Sequence, residues 1–212
     1  MNIMAAEQST PSAEEPAASE YSTSFAAGVL ASPSSLEDGA VLARILRFQE
    51  GKGKYSGPTF LNALSEIRAG RKRSHWIWYV WPTLKGTRTT RMPGLMLPGV
   101  GTARLYLEHE TLGPRLLRIT EVATRHLVQG VRPNVLFGSG IDAEKFLEVC
   151  TCFYIAASAA SGEGPSASLV EAAATFKAAL VAARAGLDAR TVAIAAKQGW
   201  PIPPPPRSGD CC

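Results

Sequence analysis

An all-α fold is what the sequence predicts, and three observations predict it. Apolar residues recur at three- and four-residue spacing in one segment after another. Gly and Pro punctuate the ends of those segments, and no alternating strand pattern of useful length or hairpin signal occurs. The expected architecture is one compact helical domain of about six or seven helices over residues 34–199, between a disordered N-terminal tail (1–33) and a proline-rich C-terminal tail (200–212).

The elements follow in order. Residues 1–33 are rich in Ala, Ser, Glu and Pro, with too little apolar periodicity to offset the entropy of ordering. Ser34-Ser35-Leu36-Glu37 has capping-box spacing and opens a first helix through Leu36, Ala40, Val41, Ile45 and Phe48. Pro58 suits the first turn of a second helix, with Phe60, Leu61, Leu64 and Ile67 on one face and Gly70 as its stop. His75 to Trp81 is apolar without a clear period, so strand and helix both remain open there. Residues 83–101 carry Gly86, Pro93, Gly94, Pro98, Gly99 and Gly101 and read as a long loop, a class that is usually functional or mobile.

Thr102 is placed to cap a short helix carrying Leu105, Tyr106 and His109. A long amphipathic helix follows, with Leu112, Leu116, Ile119, Ala123 and Leu127 on one face, Thr111 ahead of it and Gly130 behind. Asp142 caps the next one, with Ile141 and Phe146 in staple spacing and Val149, Cys150, Phe153 and Tyr154 behind them. Ser168-x-x-Glu171 opens a helix with Phe176 and Leu180 inward. Asp188 caps a last helix, flanked by Leu187 and Val192 and stopped by Gly199.

Composition narrows the function classes. A formal net charge of +4 over 212 residues admits anionic partners but is far below that of a dedicated nucleic-acid binder, so specific nucleic-acid binding is disfavoured. Cys150, Cys152, Cys211 and Cys212 lack metal spacing and have no nearby His pair, so no metal site and no structural disulfide are expected, and no cofactor is indicated. No apolar run approaches the roughly 20 residues needed to span a bilayer. The N-terminus lacks a charged segment followed by an apolar core, so the expectation is a soluble cytoplasmic protein. Cys211-Cys212 has the form of a doubly prenylated ending, but without a Gly-rich phosphate loop the escort-dependent route is disfavoured.

One stretch concentrates charge and aromatic surface: Gly70-Arg71-Lys72-Arg73-Ser74-His75-Trp76-Ile77-Trp78-Tyr79-Val80-Trp81-Pro82. With Trp81-Pro82, Ala103-Arg104-x-Tyr106-Leu107-x-His109, Leu112-Gly113-Pro114-Arg115-Leu116, Phe137-Gly138 and Asp188-Ala189-Arg190-Thr191, it resembles the family catalogued as domain of unknown function 1810. The resemblance spans about residues 40–197 and implies a compact, mainly helical domain, which favours helix for His75 to Trp81. It brings no established activity, and the calpastatin name some members carry finds no counterpart in an extended inhibitor-like segment. Three departures stand out: Trp81-Pro82-Thr83 where the family usually has Phe-Pro-Gln, Val149-Cys150-Thr151-Cys152-Phe153-Tyr154 where a Ser-rich run is common, and a loop near Met92 to Gly101 richer in Pro and Gly.

Each candidate chemistry has a structural alternative. Arg71, Lys72 and Arg73 complement a helix C-terminus, or Arg71 and Arg73 grip an anionic, phosphorylated or nucleotide-like small molecule, with His75 donating and Trp76 or Trp78 stacking. His109, beside Glu110 and with Arg104 and Arg115 nearby in sequence, is an exposed helix end, part of an acid/base pair or a second anion contact. The ligand-binding set expected from sequence is therefore Arg71, Arg73, His75, Trp76, Trp78, His109 and Arg115, with no catalytic residue assigned. A second reading makes the chain a non-enzymatic interaction module whose Pro203-Pro204-Pro205-Pro206 run meets a proline-recognition domain.

Overall fold

The computed structural model describes residues 33–52, 57–159 and 166–207. The expected N-terminal tail, apart from Pro33, and the Cys211-Cys212 ending lie outside the described residues. Helices run in the order α1 (Pro33–Gln49), α2 (Phe60–Arg68), α3 (Ile77–Val80), α4 (Val100–Glu108), α5 (Leu112–Val128), α6 (Pro133–Leu136), α7 (Gly140–Ser158), α8 (Ala167–Ala182) and α9 (Ala189–Lys197). Seven of these nine have nine residues or more, so the described residues hold slightly more helices than the six or seven expected, α3 and α6 being single turns. None of them is long and apolar enough to cross a membrane. Extended pairing among the described residues is confined to one isolated parallel bridge, Leu84 with Leu97.

Helix α7 is the axis. From Lys145 to Ala157 every residue except Leu147 is buried, so the helix is enclosed on all sides rather than on one stripe. It packs against α4, α6, α8 and α9, while α5 lies against α2, α4 and α8. Two aromatic groups anchor it. Phe146 stacks on Phe137 at 4.4 Å between centroids and meets Trp81 edge-on at 5.0 Å, and Trp81 touches Trp76 at 5.5 Å. Two turns further along, Phe153 joins Tyr106 at 5.3 Å to Phe176 at 5.4 Å. Such rings contribute both buried area and preferred geometry.

Several boundaries differ from expectation, each for a local reason. Pro58 lies ahead of α2 rather than in its first turn, and Thr59 caps the helix, its side chain accepting the Asn62 N–H while Asn62 reaches back to the Thr59 N–H. Leu61 is exposed and Ala63 takes its inward place; Leu36 and Ile141 are exposed as well. Ser139, not Asp142, caps α7 by accepting the Asp142 N–H at 3.1 Å, so the Ile141 staple is not formed. Gly99 precedes α4, with Thr102 inside it. Ser166 stands at the N-cap of α8, two residues before Ser168. Asp188 caps α9 as expected, accepting the Thr191 N–H at 2.8 Å.

The stretch 83–101 is not a free loop. Its backbone is tied by Leu97 N–H to Thr83 O and Lys85 N–H to Leu97 O, Pro93–Leu95 forms a 3₁₀ turn, and Leu84, Leu95, Met96 and Leu97 are buried. Thr83 has the one buried side-chain polar atom without a hydrogen-bond partner among the described residues.

Two substitutions test this packing. A Cβ at Gly113 would sit 2.1 Å from the Leu107 carbonyl oxygen, a backbone atom of α4 that has no room to yield. Gly113→Ala is expected to lower stability by about 3 kcal/mol, read as a fall in the urea midpoint. Thr83→Val keeps the shape and removes the orphaned hydroxyl, so it is expected to leave the midpoint unchanged or raise stability by up to about 1 kcal/mol.

Candidate functional site

The basic–aromatic stretch begins where α2 ends. Gly70, at φ +74°, takes the left-handed position of a Schellman turn, with its N–H on Ile67 O and the Arg71 N–H on Glu66 O. The chain then folds back over the Glu66 side chain. That carboxylate accepts the Arg73 N–H at 2.7 Å, the Ser74 N–H at 3.1 Å, the Trp76 Nε1–H at 2.8 Å and the Ser74 hydroxyl. Burial alone would raise the Glu66 pKa, but the hydrogen bonds from Ser74, Arg73 and Trp76 together hold it below the usual carboxylate range.

The other side of the turn is pinned to the α6–α7 junction. The Lys72 N–H donates to Leu136 O at 2.7 Å, and Gly138, at φ +78°, lies so close that a Cβ there would come within 2.9 Å of Lys72 O. From this position the Lys72 ammonium reaches Asp142 Oδ2 at 2.7 Å, while Lys145 Nζ takes Asp142 Oδ1 at 2.9 Å. Lys145 Nζ also stands 3.5 Å above the Trp78 ring, and Lys72 Nζ 5.4 Å from that of Trp76. Burial raises and the two lysines lower the Asp142 pKa, and the lysines prevail. For Lys145, burial leads and brings the ammonium pKa down; Asp142 opposes that, and the Arg88 and Lys72 charges add to it.

Two turns along α7, Glu148 is enclosed and accepts Arg88 through both oxygens, at 2.9 and 2.5 Å, with Arg190 at 3.2 Å. Glu144 approaches Arg88 at 3.7 Å. Asp142, Lys145 and Glu148 therefore form one ionic stripe joining α7 to the turn at 71–76, to the stretch 83–101 and to α9.

The polar side chains of the stretch divide cleanly. Lys72, Ser74 and Trp76 are consumed by the fold. Arg71, Arg73 and His75 are exposed, and none of their side chains has a hydrogen bond or ion pair among the described residues. Arg71, Lys72, Arg73 and Gly138 line an open cavity of about 380 Å³. The expected arrangement is only partly realised here. Trp76 is fully buried with its indole N–H on Glu66, so it offers no ring face to a ligand, and one face of Trp78 is occupied by Lys145.

His109 and Arg115 do not line this cavity. His109 Nδ1 accepts the Thr111 and Leu112 N–H groups at 3.1 and 3.4 Å and so caps α5, while Arg115 donates to Gln49 Oε1 at 3.3 Å and lies over the Phe60 ring. Gln49 in turn donates to Tyr79 O at 2.8 Å and Tyr106 Oη at 3.0 Å. Tyr79, desolvated and near the Glu66 charge, has its pKa pushed up to about 12. The remaining motifs are thereby explained as scaffold. Cys150 and Cys152 are enclosed, and burial raises both thiol pKa values, so neither is an activated nucleophile.

The family model described as protein of unknown function (DUF1810) matches residues 42–178. The chain belongs to the DUF1810 family. A conserved hypothetical protein from Mycobacterium tuberculosis, known from a crystal structure, shares the family's fold with this chain at a TM-score of 0.57 and 30% identity, covering 74% of this chain and 98% of its own. No curated protein matches the chain. The turn at 70–76, Trp81, Phe137-Gly138 and Arg190 all meet around the N-terminal half of α7, Arg190 lying beyond the matched residues.

Glu66 supplies the test of this assembly. Its folded-state pKa is lowered, so its contribution to stability is complete above about pH 4.5 and is lost as the pH falls through the lowered value. Glu66→Gln, which cannot satisfy all four donors, is expected to lose about 2 kcal/mol at neutral pH and to flatten the acid limb, followed by tryptophan emission.

Proposed function

We propose that this protein binds a small anion at the cavity of Arg71, Lys72, Arg73 and Gly138. The observation that carries the reading is the presence on one open cavity of two exposed arginines whose guanidinium groups are unpartnered among the described residues, on a segment that the buried Lys72–Asp142 ion pair holds in place. Arg forks suit phosphoryl and carboxylate oxygens, and the Lys72–Asp142 ion pair between them fixes the backbone from which both forks project. The chemistry available in the lining is charge neutralisation: it presents cations and backbone, with no base or nucleophile. Stacking of a nucleobase, anticipated from the tryptophans, has no support because neither ring lines this cavity.

Arg71→Ala/Arg73→Ala is the informative variant, since both side chains are exposed and hold nothing else in the described fold. Thermal-shift titration with pyrophosphate, inorganic phosphate and citrate is expected to stabilise the native chain in proportion to the logarithm of ligand concentration and to leave the double variant unmoved. Equal stabilisation of both proteins, or of neither, rejects the site.

A further inference from the structure

We propose that the anion is a dianion carried by a phosphoryl group and recognised independently of any base attached to it. The inference rests on the anion site above and specifies its ligand. Three cations line the cavity, Arg71, Lys72 and Arg73, and a fourth, Lys145, shares the Asp142 carboxylate with Lys72. Two carboxylates face them, and both are saturated. Asp142 gives one oxygen to each lysine, and Glu66 is taken up by the Arg73 and Ser74 N–H groups, the Ser74 hydroxyl and the Trp76 indole. Two positive charges are left without a counterion among the described residues.

The neighbouring group along α7 offers no relief, because Arg88 and Arg190 are balanced by Glu148 and Glu144. Nor does solvent fully screen the surplus. Lys72 and Lys145 are 8% and 5% exposed yet share a single carboxylate, an arrangement in which an unbalanced charge is costly. The depression of the Lys145 pKa, led by burial and reinforced by Arg88 and Lys72, agrees with such a surplus.

A phosphate monoester carries a charge of about −1.5 to −2 at neutral pH and matches two uncompensated cations, whereas a carboxylate or a sulfate ester brings only one charge. Its three terminal oxygens also let Arg71 and Arg73 engage different atoms from different directions, while the enclosed Lys72 contributes no direct contact; a planar carboxylate offers only two. Independence from a base follows from the aromatic side chains. Trp76 is fully enclosed, one face of the half-buried Trp78 is covered by Lys145 at 3.5 Å, and the cavity lining contains no ring.

The experiment is an NMR titration of the full chain with methyl phosphate, methyl sulfate, ribose 5-phosphate and AMP at about pH 7.5, where the phosphate esters are dianions. Methyl phosphate is expected to bind about tenfold or more tightly than methyl sulfate, an ion of the same shape and half the charge. Arg73→Gln, which removes one cation from an exposed position, is expected to shrink that ratio, and ribose 5-phosphate and AMP are expected to bind within about threefold of each other. Equal binding of methyl phosphate and methyl sulfate overturns the dianion while leaving an anion site standing. A tenfold preference for AMP over ribose 5-phosphate overturns base independence. Absence of binding by all four ligands removes the anion site itself.

Discussion

The turn from Gly70 to Trp76 depends on one carboxylate. Three N–H groups and a hydroxyl converge on Glu66, which sits in the last turn of α2, where an acidic side chain opposes the helix dipole. Four charge-assisted hydrogen bonds outweigh that opposition. Their effect is to turn the peptide N–H groups of Arg73 and Ser74 inward and to draw the Trp76 ring into the core. The arginine side chains are left pointing away from the packed face. The division of the stretch into structural and available residues is set by this one acceptor.

A second constraint follows from where α7 begins. With Ser139 as the cap, Asp142 occupies the third helical position, and its carboxylate is not spent on the backbone. It bridges Lys72 and Lys145 instead, tying the turn after α2 to the central helix. Had Asp142 capped the helix, neither lysine would have had a counterion, and burying both would have been prohibitive. The close approach of Gly138 to the Lys72 carbonyl belongs to the same junction, since any side chain there would push the two segments apart.

How much of this is legible in the sequence depends on the range of the interaction. The helical periods, the Asp188 cap and the inward faces of α5, α7 and α8 are local and can be read directly; so can the stops at Gly70, Gly130 and Gly199, all at positive φ. The start of α7 is misread because Ile141 and Phe146 imitate a staple, although Ser139-x-x-Asp142 offers an equally good capping spacing. The stretch 83–101 looks loose because its Pro and Gly content hides the Leu84–Leu97 pairing and the inward Arg88. The fates of Trp76, Trp78, His109 and Arg115 are not legible at all. Each is decided by a partner distant in sequence or by a cap geometry: Glu66, Lys145, the α5 N–H groups and Gln49.

Lys72 and Arg73 are adjacent and carry the same charge, yet the fold gives them opposite roles. Lys72 is enclosed, with its N–H on Leu136 and its ammonium on Asp142; Arg73 contributes its backbone N–H to Glu66 and leaves its guanidinium in solvent. The flexible stem of a lysine lets its compact head reach a single carboxylate through a packed wall, whereas the planar arginine fork is better placed where two oxygens approach it from outside. The order Arg-Lys-Arg at 71–73 therefore alternates an exposed fork, a buried anchor and an exposed fork. Both exposed arginines border one cavity on a backbone that the anchor ties to α7, which is the preorganisation that the proposed anion site would draw on.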